Sequence, residues 1–188
     1  MASSGPNNPG TGANVSGVGS AVWLSPSFIT SSDNVRSEAN SGISGIVVSQ
    51  WLQATNFGFT IPTGATIDGI EVNIERNASY NSVQRYTRDN IVKLIIGGSV
   101  VGTSNADTVT KWPNGGDAVK TYGGSTDLWG NSIAYTDVNA SNFGVALSVE
   151  TRGLKPAGCI SAVDNMTITV YYTAGGGTTS KALLLAGN

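Results

Sequence analysis

The sequence predicts an all-β protein: an antiparallel two-sheet sandwich, jelly-roll-like, with extended N- and C-terminal arms. Apolar and polar side chains alternate with a period of two, most plainly where Ile70, Val72 and Ile74 interleave with Glu71, Asn73 and Glu75. Turn signals separate such runs, among them Gly97-Gly98, Asn114-Gly115-Gly116, Tyr122-Gly123-Gly124 and Pro156-Ala157-Gly158. No segment carries helical periodicity, so strands joined by long connections have to build both layers.

Residues 1–19 are uncharged and dominated by Gly, Ser, Asn and Pro, a composition that supplies no core, so they are expected to form an extended, mobile arm. The sandwich is expected over residues 20–173. Ala21, Val22, Trp23 and Leu24 give a short apolar run stopped by Ser25 and Pro26, and a second run covers 45–59. The alternating strand at 67–76 follows. Residues 77–90 are too polar for core and too long for a tight turn, which predicts a protruding loop or a twisted hairpin tip. Further strands are expected at 91–96, 142–150 and 163–172; in the last, Met166, Ile168, Val170 and Tyr172 alternate with Thr167, Thr169 and Tyr171. Asn-Phe-Gly occurs at residues 56–58 and again at 142–144, and reads as a strand-entry device. Residues 174–188 form a Gly-rich linker and an apolar tail whose Leu183, Leu184 and Leu185 require a covering surface.

Composition narrows function. Charged residues make up 12 % of the 188, about half the usual share, and the net charge is −2. With its ten Lys and Arg scattered, the chain has no electrostatic basis for binding nucleic acid. It contains no histidine, which removes Ser-His and Cys-His catalysis and the commonest transition-metal ligand. A single cysteine, Cys159, cannot form an internal disulfide and reads as a small buried thiol. The N-terminus lacks the basic and apolar regions of a secretory signal, and no apolar run reaches membrane-spanning length, so no membrane partner is expected.

Candidate chemistry is sparse. Glu71 and Glu75 share a strand face, but solvent alone explains two acids on a wet face, and no catalytic residue is assigned. Asp33, Asn34, Asp68, Asp137, Asp164 and Asn165 are hard oxygen donors of the kind that bind calcium between sandwich loops. They are also ordinary turn formers, and no EF-hand-type loop is present, so neither metal nor cofactor is expected. Trp112, Tyr122 and Trp129 lie among glycines in 111–130; they either plug the end of the sandwich or offer a stacking platform for sugar rings. Tyr80, Arg85, Tyr86 and Arg88, in the 77–90 segment, are candidate contacts because Arg and Tyr are enriched at interfaces.

The stretches ATNFGFTIPTGATIDGIEVNIER, YGGSTDLWG, ASNFGVALS and VDNMTITVYYT together resemble a β-sandwich module of tailed-phage structural proteins, over residues 10–173. The resemblance implies a virion building block with no catalytic residues. One small module carrying two arms is most similar to a capsid cement, or decoration, protein on the outer capsid surface. Such a protein would clamp the major capsid protein and copies of itself as a homotrimer. The arms would supply the assembly contacts, through Pro6, Pro9, Val15, Val18 and Leu183 to Leu185. The competing expectation is a receptor- or carbohydrate-binding module of a phage tail or bacterial surface protein.

Overall fold

The computed structural model describes residues 1–42, 45–155 and 157–175. Among the described residues, twelve strands form two antiparallel sheets of six, with one 3-10 turn, Pro26–Ile29, and one α-helical turn, α1 (Tyr135–Val138). In chain order the strands are β1 (Ala2–Asn7), β2 (Thr11–Val15), β3 (Trp23–Leu24), β4 (Ser37–Asn40), β5 (Gly45–Val48), β6 (Trp51–Thr55), β7 (Thr66–Ala78), β8 (Tyr86–Ile96), β9 (Ser99–Val101), β10 (Ala118–Gly123), β11 (Gly144–Gly153) and β12 (Ile160–Thr173).

The first sheet runs β10-β7-β12-β4-β3 and the second β2-β6-β11-β8-β9; β1 also borders β12, and β5 also borders β11. Setting aside β1, β2, β3 and β5 leaves eight strands in which the first pairs with the last and so on inward: β4 with β12, β6 with β11, β7 with β10, and β8 with β9. A long antiparallel ribbon folded over on itself in this way is a jelly roll. The alternating residues do what their period requires. Ile70, Val72, Ile74, Met166, Ile168 and Val170 face inward and are fully buried, in one core with Val92, Leu94, Val145 and Leu147 of the second sheet and Phe143 just before β11.

Residues 1–19 differ from expectation. Instead of an arm free to reach a neighbour, they supply one strand to each sheet: β1 pairs with β12 from Ala2 opposite Tyr172 to Asn7 opposite Ile168, and β2 pairs with β6 from Thr11 opposite Thr55 to Val15 opposite Trp51. Gly, Ser, Asn and Pro are poor strand formers in isolation, but a free sheet edge supplies the missing backbone partners. Side chains lock the segment further, with the Asn7 amide donating to the Phe57 carbonyl (3.0 Å) and the Trp23 backbone N–H donating to Asn14 Oδ1 (2.9 Å). Pro9 is buried, Val18 half-buried, and Pro6 and Val15 are exposed on this stretch.

The 77–90 segment is neither a free loop nor a hairpin tip. β7 continues to Ala78 in the first sheet and β8 starts at Tyr86 in the second, so residues 79–85 carry the chain across the sandwich. The two Asn-Phe-Gly copies also play different parts: the first leaves β6, and only the second enters a strand, β11. They converge in space, since Phe59 packs 6.1 Å from Phe57 and 6.2 Å from Phe143, ring centre to ring centre. Gly144 is required by packing, because a Cβ there would fall 1.9 Å from the Ala54 carbonyl oxygen. Leu183, Leu184 and Leu185 lie outside the described residues.

Candidate functional site

Of the two alternatives for Trp112, Tyr122 and Trp129, the structure has them interior, 0 %, 3 % and 0 % exposed, and not open as a sugar-stacking platform requires. Trp112 and Tyr122 belong to a polar cluster between the sheets, while Trp129 Nε1 donates to the Ile70 carbonyl (2.9 Å). Arg76, in phase with the inward residues of β7, ion-pairs with Asp89 of β8, and both are buried. Asp89 also accepts hydrogen bonds from Trp112 Nε1 (2.7 Å), the Tyr122 hydroxyl (2.8 Å) and the Asp107 backbone N–H (2.9 Å). The guanidinium donates to the Tyr122 oxygen (2.7 Å) and lies 4.8 Å from the Trp112 ring centre. Burial, together with the Asp89 charge, pushes the Tyr122 hydroxyl far above the ordinary phenol range, which keeps it a donor. With each carboxylate oxygen matched, this cluster ties one sheet to the other.

Of the residues around the 79–85 crossing, Tyr86 and Arg88 are engaged internally. Tyr86 is buried and its hydroxyl donates to Glu150 Oε1 (3.3 Å), while Arg88 Nε donates to the same oxygen (2.9 Å). Arg85 is half-exposed, with its guanidinium 3.8 Å from the Tyr80 ring centre, and Val83 beside it is 80 % exposed. The structure therefore divides the four expected contacts: Tyr80 and Arg85 form a half-buried stacked pair, and Tyr86 and Arg88 brace β8 against β11.

A second group of charges gathers on the outer face of the first sheet. Glu75 of β7, Asp117 just before β10 and Asp164 of β12 place carboxylate oxygens within 4.8 Å of one another. Asp164 arrives there through a β-bulge: Val163 pairs with Arg76 and Asn165 with Glu75, so Asp164 is the extra residue. The 3-10 turn and the loop after it cover this part of the sheet, with Thr30 bridging to Asn165 and Asn165 donating to the Ile29 carbonyl (3.4 Å). Asp164 is consequently 1 % exposed, and neither of its carboxylate oxygens has a hydrogen-bond partner among the described residues. Burial first, then the charges of Glu75 and Asp117, raise its pKa; the backbone amides of Asp33 and Asn34 are near enough to temper the rise without reaching hydrogen-bond geometry.

Asp117, by contrast, is well supplied. Arg36 Nε donates to its two oxygens at 2.9 and 3.0 Å, and the Asn77 amide donates at 2.7 Å. Arg36 and Asn77 also line a cleft of about 380 Å³ that opens beside the cluster. Sequence reasoning had named Asp33, Asn34 and Asp164 as oxygen donors but not Glu75 or Asp117 in that role. The remaining donors are dispersed: Asp68 accepts from the Thr173 hydroxyl (2.8 Å), Asp137 caps α1 by accepting from the Ala134 backbone N–H (2.9 Å), and Asn165 bonds Asn8 (3.2 Å). Glu71 accepts from the Tyr171 hydroxyl (3.3 Å). Cys159 is buried, within sulfur hydrogen-bond distance of Ser79 and Thr87.

Fold and site together define a jelly-roll β-sandwich with a saturated ion-pair network inside and an unbalanced carboxylate cluster outside. No family model matches the chain, and neither a curated protein nor a solved structure matches it.

Proposed function

We propose that this chain is a non-enzymatic virion structural protein, a capsid cement that clamps neighbouring capsid subunits. The observation that supports an assembly role is the exposed apolar surface around β3. This two-residue strand ends the first sheet, and the segment around it exposes Leu24 (63 %), Val22 (49 %), Val35 (46 %) and Phe28 (41 %). Apolar residues exposed together in this way invite an apolar segment from another subunit. The clamp is thus relocated: the N-terminal segment is consumed by the chain's own sheets, and the apolar surface around β3 and the Leu183 to Leu185 tail take over the contacts. Jelly rolls recur in viral shells, and the resemblance to tailed-phage structural modules points the same way.

The direct test is a cryo-EM map of the virus particle that carries the chain. Density for the sandwich is expected on the outer surface of the head, bridging capsid subunits; density on the tail alone would overturn the reading. Leu24→Asp with Phe28→Asp, both exposed, should leave the domain folded and detach it from the shell. A receptor-binding module is the second reading, and the half-exposed Tyr80 and Arg85 pair, beside the exposed Val83, favours it. Binding to a glycan array that vanishes in Arg85→Ala, together with a tail location, would select it.

A further inference from the structure

We propose that Glu75, Asp117 and Asp164 form a binding site for a calcium-sized divalent cation. Three acids close together on a surface mean little alone, because solvent and neighbouring cations satisfy them. Asp164 is different: it is 1 % exposed, no hydrogen bond from the described residues reaches either carboxylate oxygen, and those oxygens belong to the cluster. A buried carboxylate without donors is rare, since removing it from water costs several kcal/mol unless something replaces the water. The one guanidinium in the neighbourhood does not replace it, because Arg36 is committed to Asp117 through Nε and Nη2.

Charge and size both specify the missing partner. Three ionised carboxylates and Arg36 sum to −2, which one divalent cation neutralises. All the candidate ligand atoms are hard oxygens, the donors preferred by calcium and magnesium over softer metals. Calcium bonds oxygen at 2.3–2.6 Å, so oxygens on opposite sides of the ion lie roughly 4.6 to 5.2 Å apart; for magnesium the limit is about 4.2 Å. With all three oxygens within 4.8 Å of one another, the larger ion fits without movement of the strands. Three carboxylates leave coordination positions for water. Bound there, the cation would join β7, β12 and the segment before β10, fixing the bulge. The assignment does not depend on the assembly role.

The experiment is a thermal melt and calorimetric titration of the full chain, stripped with EDTA, against CaCl2 and MgCl2. Calcium should bind at one site with a Kd of about 10⁻⁵ to 10⁻³ M and raise Tm by about 5 °C at 5 mM, with magnesium at least tenfold weaker. Asp164→Asn should lose the shift, and Glu75→Gln should weaken binding at least tenfold; Glu75 is half-exposed, so this variant decides the matter if Asp164→Asn fails to fold. Asp68→Asn, outside the cluster, should respond as the parent does. Absence of a calcium response in the parent overturns the site, as does a full response in Asp164→Asn or Glu75→Gln. Equal responses to the two ions would overturn the size assignment.

Discussion

Two aspartates, Asp89 and Asp164, are each 1 % exposed, yet their surroundings are opposite. Asp89 receives an arginine, an indole N–H, a phenol and a backbone amide. Asp164 receives no hydrogen bond from the described residues and faces two further carboxylates. Burial alone therefore says little about what a charged residue does. Where its partners are built in, the charge belongs to the architecture; where they are lacking, the site is incomplete until something arrives from solvent.

Breaking the satisfied side should have the largest effect. Asp89→Ala strands the Arg76 guanidinium and the Trp112 and Tyr122 donors in the interior, and urea denaturation should show a loss of about 3–5 kcal/mol. A smaller break is Trp112→Phe, which keeps most of the packing but removes one charge-assisted hydrogen bond; about 2 kcal/mol is expected by the same measurement. On the unsatisfied side the sign reverses. In EDTA, Asp164→Asn should stabilise the protein by about 1 kcal/mol, because a neutral amide is cheaper to bury beside Glu75 and Asp117 than a third carboxylate. Equal losses from Asp89→Ala and Asp164→Asn would erase the distinction.

The gentlest probe is pH. Asp164 has a raised folded-state pKa, so the folded protein holds its proton longer than the unfolded chain does. Its contribution is fully present below the ordinary aspartate value of 3.8 and is lost as pH rises through the folded value. Melts in EDTA should show this decline in the parent and not in Asp164→Asn. Asp107 should give the opposite trend: hydrogen bonds from the Thr110 backbone and Lys120 hold its pKa well below the usual range, so its stabilisation is present above 3.8 and fades toward acid. Asp107→Asn should flatten the acid limb of the stability curve.

Bulges account for much of what was hidden in the sequence. Counting back by twos from Leu94 and Val92 places Asn90 inward and Asp89 outward. The register slips at Asn90, however, with Ser148 opposite Ile91 and Val149 opposite Asp89, so Asp89 turns into the core. In β12, counting back from Met166 puts Asp164 inward and Val163 outward, and the bulge reverses both. Arg76 was legible: it continues the 70, 72, 74 series onto the core face, a signal that a buried charge needs a partner. The partner was not, because it lies one bulge away in another sheet.

From local chemistry alone, the sequence determined the β class, the strands at 67–76 and 163–172, the turns between them, and the lack of any histidine for catalysis or metal binding. Alternation and turn residues act through the dihedral preferences of neighbouring residues, so a linear reading suffices for them. Tertiary structure decided that a Gly- and Ser-rich leader joins both sheets, that Trp112 and Trp129 are interior, and that Glu75, Asp117 and Asp164 meet. Those outcomes depend on which distant edges pair and in what register. A single inserted residue exchanges the inside and outside of a strand, and only the assembled sheets set where that residue sits.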